Sequence, residues 1–187
     1  MIPDKLWRAA QSLDEFLRSC HFTYCLIGGI AIQRWGEPRM TQDVDASVFV
    51  EIGAEMAMIT SLLARYEGRI PDVADFAVQA RVVLLRDRTG CPLGVAFAGL
   101  EFEQRMFERA TDWRPTGKGR IRTCSAEDLV VLKAFANRPQ DWIDIERVII
   151  RQHHRLDRQL ILTELTPLVE LKEEPQILHD LQHLFSA

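Results

Sequence analysis

The stretch Leu26-Ile27-Gly28-Gly29-Ile30-Ala31-Ile32-Gln33-Arg34-Trp35-Gly36 constrains this chain more than any other. After a short connection comes Thr41-Gln42-Asp43-Val44-Asp45-Ala46-Ser47-Val48. The pattern predicts a strand, a two-glycine turn, a short helix, and a second strand that carries two carboxylates. A glycine turn feeding a helix N-terminus presents unpaired backbone N–H groups at the positive end of the helix dipole, which suits a phosphate. Alternate strand residues share a face, so Asp43 and Asp45 point the same way, roughly 7 Å apart along the chain. Two carboxylates facing a turn that can hold phosphates form a candidate site for a nucleotide carried by Mg2+.

A chain of 187 residues is long enough for one domain, or a small domain with a helical annex. A hydrophobic share of 47% with 27% charged residues excludes a disordered polyelectrolyte. The net charge of −4 means that a nucleic-acid partner would need a local basic patch. Cys20, Cys25, Cys91 and Cys124 have no C-x-x-C spacing and no histidines in zinc-site order, so reduced thiols of a cytoplasmic protein are expected. Met1-Ile2-Pro3-Asp4-Lys5 has no signal-type apolar region, and no run approaches ~18 apolar residues, so no membrane partner is expected.

Along the chain, periodicity predicts an amphipathic helix over 4–19, a strand over 22–27 and a short helix over 30–35 closed by Pro38. Val44, Ala46, Val48 and Val50 are expected on the buried face of the second strand, opposite Asp43, Asp45 and Ser47. Helices follow over 53–66 and 72–79, then paired strands over 81–87 and 93–98 joined by a turn-rich connection, then a helix over 100–110. The basic loop Pro115-Thr116-Gly117-Lys118-Gly119-Arg120-Ile121-Arg122-Thr123 leads into a short strand. The remainder reads as helix: 125–136, 139–152, 155–171 with a break near Pro167, and 175–185. The expected architecture is α/β (α+β), a small mixed sheet flanked by helices and followed by a C-terminal helical bundle. Its division is 1–123 for the core and 124–187 for a helical region packed on it.

Gly28-Gly29, thirteen residues, then Asp43-Val44-Asp45 resembles the hG(G/S)…DhDh signature of the DNA polymerase β-like nucleotidyltransferase superfamily, h being apolar. Arg39-Met40-Thr41-Gln42-Asp43-Val44-Asp45 is similar to the R-x-(S/T)-x-D-x-D version in the AbiEii-type toxin nucleotidyltransferases. The resemblance implies two-metal phosphoryl transfer, with Asp43 and Asp45 as metal ligands and Gly28, Gly29, Arg39 and Thr41 facing the nucleotide. The superfamily usually adds a third carboxylate on a neighbouring strand, the base that deprotonates the acceptor. The corresponding strand here begins Leu93-Gly94-Val95-Ala96, with Gly94 at the matching position, so that acid is missing. Asp87 and Glu101 are the nearest substitutes in the sequence. Loss of a positioned base costs about 10²–10⁴-fold.

A second stretch, Ser125 to Ile145, is similar to the toxin family's E-D-L-x-x-x-K-x-x-A-x-R-x-x-D-x-x-D-h motif. Ser125 reads as an N-cap with Asp128 three residues on. Lys133 lies at the edge of the stripe Leu129, Leu132, Ala136; it is either an ordinary lysine with its stem on the core or, as the motif implies, a charge stabiliser for the nucleotide phosphates. Asp141 and Asp144 share a face of the next helix. Asp141 is either a dipole-stabilising acid or the base that the resemblance places near the site, and Asp144 is expected to pair with Arg138 or a loop N–H. His153-His154, His179 and His183 read as a polar helix face rather than metal ligands. Arg120, Arg122 and Lys118, with Arg34 and Arg39, are a candidate basic rim for RNA phosphates.

The resemblance implies transfer of a nucleoside monophosphate from an NTP to a hydroxyl of RNA (a tRNA end) or of a protein, in a toxin–antitoxin or phage-defence setting with a cognate antitoxin as possible partner. The rival reading is a degenerate nucleotide- or partner-binding module, supported by the missing acid. A D-x-D glycosyltransferase is disfavoured because too little chain precedes the motif for a nucleotide-sugar βαβ region.

Overall fold

The computed structural model describes residues 2–115, 117 and 119–186; Lys118 of the basic loop lies outside them. The chain divides into two compact units, Met1–Ile30 with Met40–Cys124 and Ala31–Arg39 with Ser125–Ala187. The second unit thus includes Ala31–Arg39, which a linear division at 123/124 assigns to the core.

The first unit is a mixed α/β fold. Its strands are β1 (Tyr24–Ile27), β2 (Val44–Phe49), β3 (Glu67–Gly68), β4 (Val82–Arg86), β5 (Pro92–Ala98), β6 (Thr111–Trp113) and β7 (Ile121–Thr123). Among the described residues they form one seven-stranded sheet, ordered β3-β4-β5-β2-β1-β7-β6. Strand β2 pairs antiparallel with β1 and parallel with β5, and β5 pairs antiparallel with β4. The short strands β3 and β6 carry too few residues to show a period of two, which is why the sequence does not announce them.

The sheet's alternation decides where the core lies. Val44, Ala46, Val48, Val83, Leu85, Leu93 and Val95 are fully buried on one face. They share a cluster with residues of α1 (Asp4–Ser19), α3 (Glu55–Leu63) and α4 (Val73–Ala80), including Leu6, Leu13, Ile59, Leu62 and Ala77. On the other face the register aligns Ile27, Asp45, Gly94 and Leu84 in one row across four strands. All four are half-buried. Helix α3 is shorter than its apolar pattern suggests. Gly53 has a φ of +91°, outside the helical region, and its N–H donates to Glu55 Oε2 at 2.7 Å. Helix α5 (Glu101–Arg109) follows β5.

The second unit is helical, with α6 (Ala126–Ala136), α7 (Pro139–Gln152), α8 (Arg158–Lys172) and α9 (Gln176–Ser186). Helix α6 packs on the other three and buries residues around its circumference, Leu129, Val130, Val131 and Ala134 among them. Ser125 caps it by accepting the Asp128 N–H at 3.0 Å. Helix α7 gathers the Ala31–Arg39 segment. Gln152 donates to the Trp35 carbonyl at 2.6 Å, Arg151 donates to the Gly36 carbonyl, and Arg147 pairs with Glu37 at 3.1 Å. The break expected near Pro167 does not occur, and α8 runs through it. A helix-interior proline costs ~3 kcal/mol. Burial of Leu165, Leu168 and Val169 around it, at roughly 1.5–3 kcal/mol each, offsets that cost.

Candidate active site

Helix α2 (Gly28–Trp35) begins with the two glycines, which are its first residues rather than a separate turn. Gly28 has a φ of +61°, a left-handed conformation that disfavours other residues. A Cβ at Gly28 would lie 2.5 Å from Asp45 Oδ2, and one at Gly29 would lie 2.8 Å from Thr41 Cβ. The side chains of Asp45 and Thr41 thus sit against the backbone of the two glycines. Thr41, itself buried, donates its hydroxyl to Asp43 Oδ1 at 2.9 Å. Asp43 precedes β2 instead of lying within it and is exposed, whereas Asp45 is half-buried in the strand. The two acids and the glycine-led helix start therefore meet at one end of β2.

Gly94 stands abreast of Asp45 on the neighbouring parallel strand, and a Cβ there would lie 2.7 Å from Asp45 Oδ1. Asp45 thus occupies the space that a side chain at position 94 would need. Neither nearby acid replaces the absent carboxylate in that row. Asp87 is buried in the β4–β5 turn, where its Oδ1 accepts from Thr89 N (2.9 Å), Thr89 Oγ1 (2.7 Å) and Cys91 N (2.8 Å). Glu101 is exposed beyond the far end of β5, 3.7 Å from Arg105. Ser47, two residues after Asp45, is buried rather than solvated, and its hydroxyl has no hydrogen-bond partner among the described residues.

The β4–β5 turn reaches the same end of β2. The Cys91 thiol donates to the carbonyl of Gln42, the residue before Asp43, at 3.5 Å. Burial raises the thiol's pKa, the charges of Asp87 and Asp43 raise it further, and Lys5 opposes them.

Arg39, Lys133, Asp141 and Asp144 all belong to the second unit, where the half-buried Arg39 joins the other three, which are buried, in an ionic cluster. The Lys133 ammonium donates to Asp141 Oδ1 at 2.8 Å and Asp144 Oδ2 at 2.7 Å. Arg39 grips Asp144 with two N–H groups, at 2.7 and 2.8 Å, and Arg138 Nε donates to Asp141 Oδ2 at 2.8 Å. Asp144 therefore pairs with Arg39 and Lys133 instead of Arg138, a pairing across 105 residues that sequence spacing does not reveal. Its burial would raise its pKa, but the hydrogen bonds from Arg39 and Lys133 hold it below the ordinary aspartate value.

The four arginines of the expected basic rim are individually engaged elsewhere, and Lys118 lies outside the described residues. Arg34 lies over the Trp35 ring at 4.1 Å, Arg120 pairs with Asp112 at 3.1 Å, and Arg122 donates to the Phe107 carbonyl at 2.9 Å. His179 and His183 lie exposed on α9.

This sheet, with its helices and its glycine-led helix start, has the architecture of nucleotidyltransferases. A nucleotidyltransferase-like antigenic protein of Paracoccidioides brasiliensis superposes with a TM-score of 0.55 at 20% identity, over 96% of this chain and 93% of that one. The lincosamide antibiotic adenylyltransferase LnuA gives 0.52 at 14% identity, over 79% and 96% of the two chains. The antibiotic-resistance factor ANT(2'')-Ia gives 0.50 at 14%, over 88% and 91%. At such identities the likeness shows the fold alone. The chain belongs to the family described as nucleotidyltransferases of unknown function (DUF6036), whose model matches residues 4–182. No curated protein matches the sequence.

Proposed function

We propose that this protein transfers a nucleoside monophosphate from an NTP to a hydroxyl acceptor, using Asp43 and Asp45 to hold Mg2+ and the start of α2 to hold phosphate. The observation that carries this reading is the convergence of Asp45 and the Thr41–Asp43 pair on Gly28 and Gly29. The donor set fits the ion: carboxylate oxygens are hard ligands, and Mg2+ is commonly held by one or two carboxylates plus substrate phosphates. No group of three or more His, Cys, Asp or Glu suited to a metal occurs among the described residues, so the nucleotide is expected to complete the coordination. The ion would supply charge neutralisation on the phosphates and on the attacking oxygen. Asp45 is positioned by its contacts with Gly28 and Gly94, and Asp43 by the Thr41 hydroxyl. The backbone N–H groups at the start of α2 would meet a phosphate that no side chain at 28 or 29 obstructs.

In this reading Lys133, Asp141 and Arg39 bond to one another's partners within the second unit, and no catalytic role is assigned to them. The ammonium of Lys133 is shared by two carboxylates, and both oxygens of Asp141 accept from cations of the chain. The acceptor is an RNA end or a protein hydroxyl, and the similarity to AbiEii-type toxins supports a defence or toxin–antitoxin role with a cognate antitoxin. A second reading, nucleotide binding without turnover, is favoured by the glycine at 94 and by the hydrogen-bonded Asp87. Incubation with each α-labelled NTP, Mg2+ and total RNA or lysate protein separates the two. Transfer by the wild type and a loss of about 10³-fold or more in Asp45→Asn supports the enzyme. Mg2+-dependent NTP binding without label transfer supports the binder, and label retained by Asp45→Asn overturns the site.

A further inference from the structure

On the first unit, a cavity of about 230 Å³ is lined by Arg8, Ser12, Arg65, Tyr66, Asp87, Arg88 and Thr89. Arg8 and Ser12 lie four residues apart on α1, so they share a face of the helix. Arg65 and Tyr66 follow the end of α3, and the other three residues come from the β4–β5 turn. The Arg65 guanidinium is steadied over the rings of Phe16 and Tyr66, at 5.9 and 5.8 Å, and lies within 3.5 Å of the Ser12 hydroxyl. The Tyr66 hydroxyl bonds the Ser12 carbonyl at 3.0 Å and its hydroxyl at 3.3 Å, so two hydroxyls meet at this wall. Among the described residues neither Arg8 nor Arg88 has an ion-pair or hydrogen-bond partner. Lys5 adds a fourth cation nearby, its Nζ 3.8 Å from where a Gly90 Cβ would sit.

Three guanidiniums against one carboxylate leave a cationic pocket on a chain of net charge −4. Asp87 neutralises only part of that charge, and its Oδ1 is turned to the donors of its own turn. Guanidinium forks suit phosphate oxygens, and the volume suits a phosphate with part of a sugar, being smaller than the ~300 Å³ at which pockets begin to hold whole ligands. The same turn that lines the cavity ends at Cys91, which bonds the residue before Asp43.

We propose that this cavity is a phosphate subsite for the acceptor, which anchors a phosphate ester on one side of the β4–β5 turn while the acceptor's hydroxyl is presented to Asp43 and Asp45 on the other. The inference rests on the transferase reading above for its reacting centre but not for its binding chemistry, so the two fail separately.

The test is calorimetric titration of the full chain with inorganic phosphate, for the wild type, Arg8→Gln/Arg88→Gln, Arg65→Gln and Asp45→Asn, with circular dichroism as the check on folding. Arg8 and Arg88 make no described intramolecular bonds, so that double variant is expected to fold. Phosphate binding should weaken about tenfold or more in it. Phosphate binding equal to wild type in the arginine double variant would overturn the subsite. Competition by a 5′-phosphorylated 12-nucleotide RNA assigns the phosphate to a polynucleotide acceptor, and competition by ribose 5-phosphate alone assigns it to a small one. Competition by Mg·ATP but by neither of these overturns the acceptor assignment. Loss of Mg·ATP binding in Asp45→Asn reports on the transferase site independently.

Discussion

Two pairs of aspartates, Asp43/Asp45 in the first unit and Asp141/Asp144 in the second, have the same chemistry and opposite surroundings. Asp43 is exposed and accepts a neutral hydroxyl, and Asp45 is half-buried with glycine backbone beside both its oxygens. Asp141 and Asp144 are buried, and every oxygen of the pair accepts from an ammonium or a guanidinium. In the proposed reading the first pair receives a cation from outside, whereas the second is neutralised by cations of its own chain. Proximity of two acids in a motif therefore does not define a site; what faces their oxygens does.

The largest effect expected from breaking this contrast is on stability, in the second pair. Asp144→Ala takes from the buried Lys133 one of its two carboxylates and from Arg39 its bidentate partner, and should cost ~3 kcal/mol in urea unfolding, whereas Asp43→Asn, an exposed change, should stay within about 0.5 kcal/mol. Equal effects would dissolve the distinction between the pairs. Gly28→Ala should come next. Its left-handed φ costs an alanine about 1–2 kcal/mol, and the new methyl displaces Asp45, so Mg2+-dependent NTP binding should fall along with the melting temperature. Stability loss with nucleotide binding intact would show that the close contact has no role at the site.

The smallest effect is a pH dependence. The folded-state pKa of Asp144 lies below its ordinary 3.8, so the unfolded chain binds the proton more tightly there. The stability that this carboxylate contributes is complete above the ordinary value and is lost as pH falls through the lower folded-state value. Unfolding free energies measured down through that range should fall less steeply in Asp144→Asn than in the wild type, and identical slopes would contradict the ion-pair assignment.

Much of the fold was legible where local chemistry suffices. The apolar helix that Gly28-Gly29 leads into, Asp43 and Asp45 at a spacing of two, and the Ser125 cap with Asp128 each depend on neighbours within a few residues. Pro167 misled because a local rule was outweighed by packing around α8. Ser47 is buried on the face that strand alternation assigns it, because alternation predicts the face of a residue but not what covers it. The cavity of Arg8, Arg65 and Arg88 left no signal, since its residues come from three separated parts of the chain.

The sequence by itself determined that a helix follows the glycines, the spacing of the first acids and the helical character of residues 126–186, because each follows from short-range sterics, hydrogen bonding and apolar period. Only the tertiary structure decided that Gly94 is abreast of Asp45, that Thr41 holds Asp43, and that Arg39 reaches Asp144 across 105 residues. Those pairings are set by strand register and helix packing, which depend on the burial of the whole core and which no local pattern encodes.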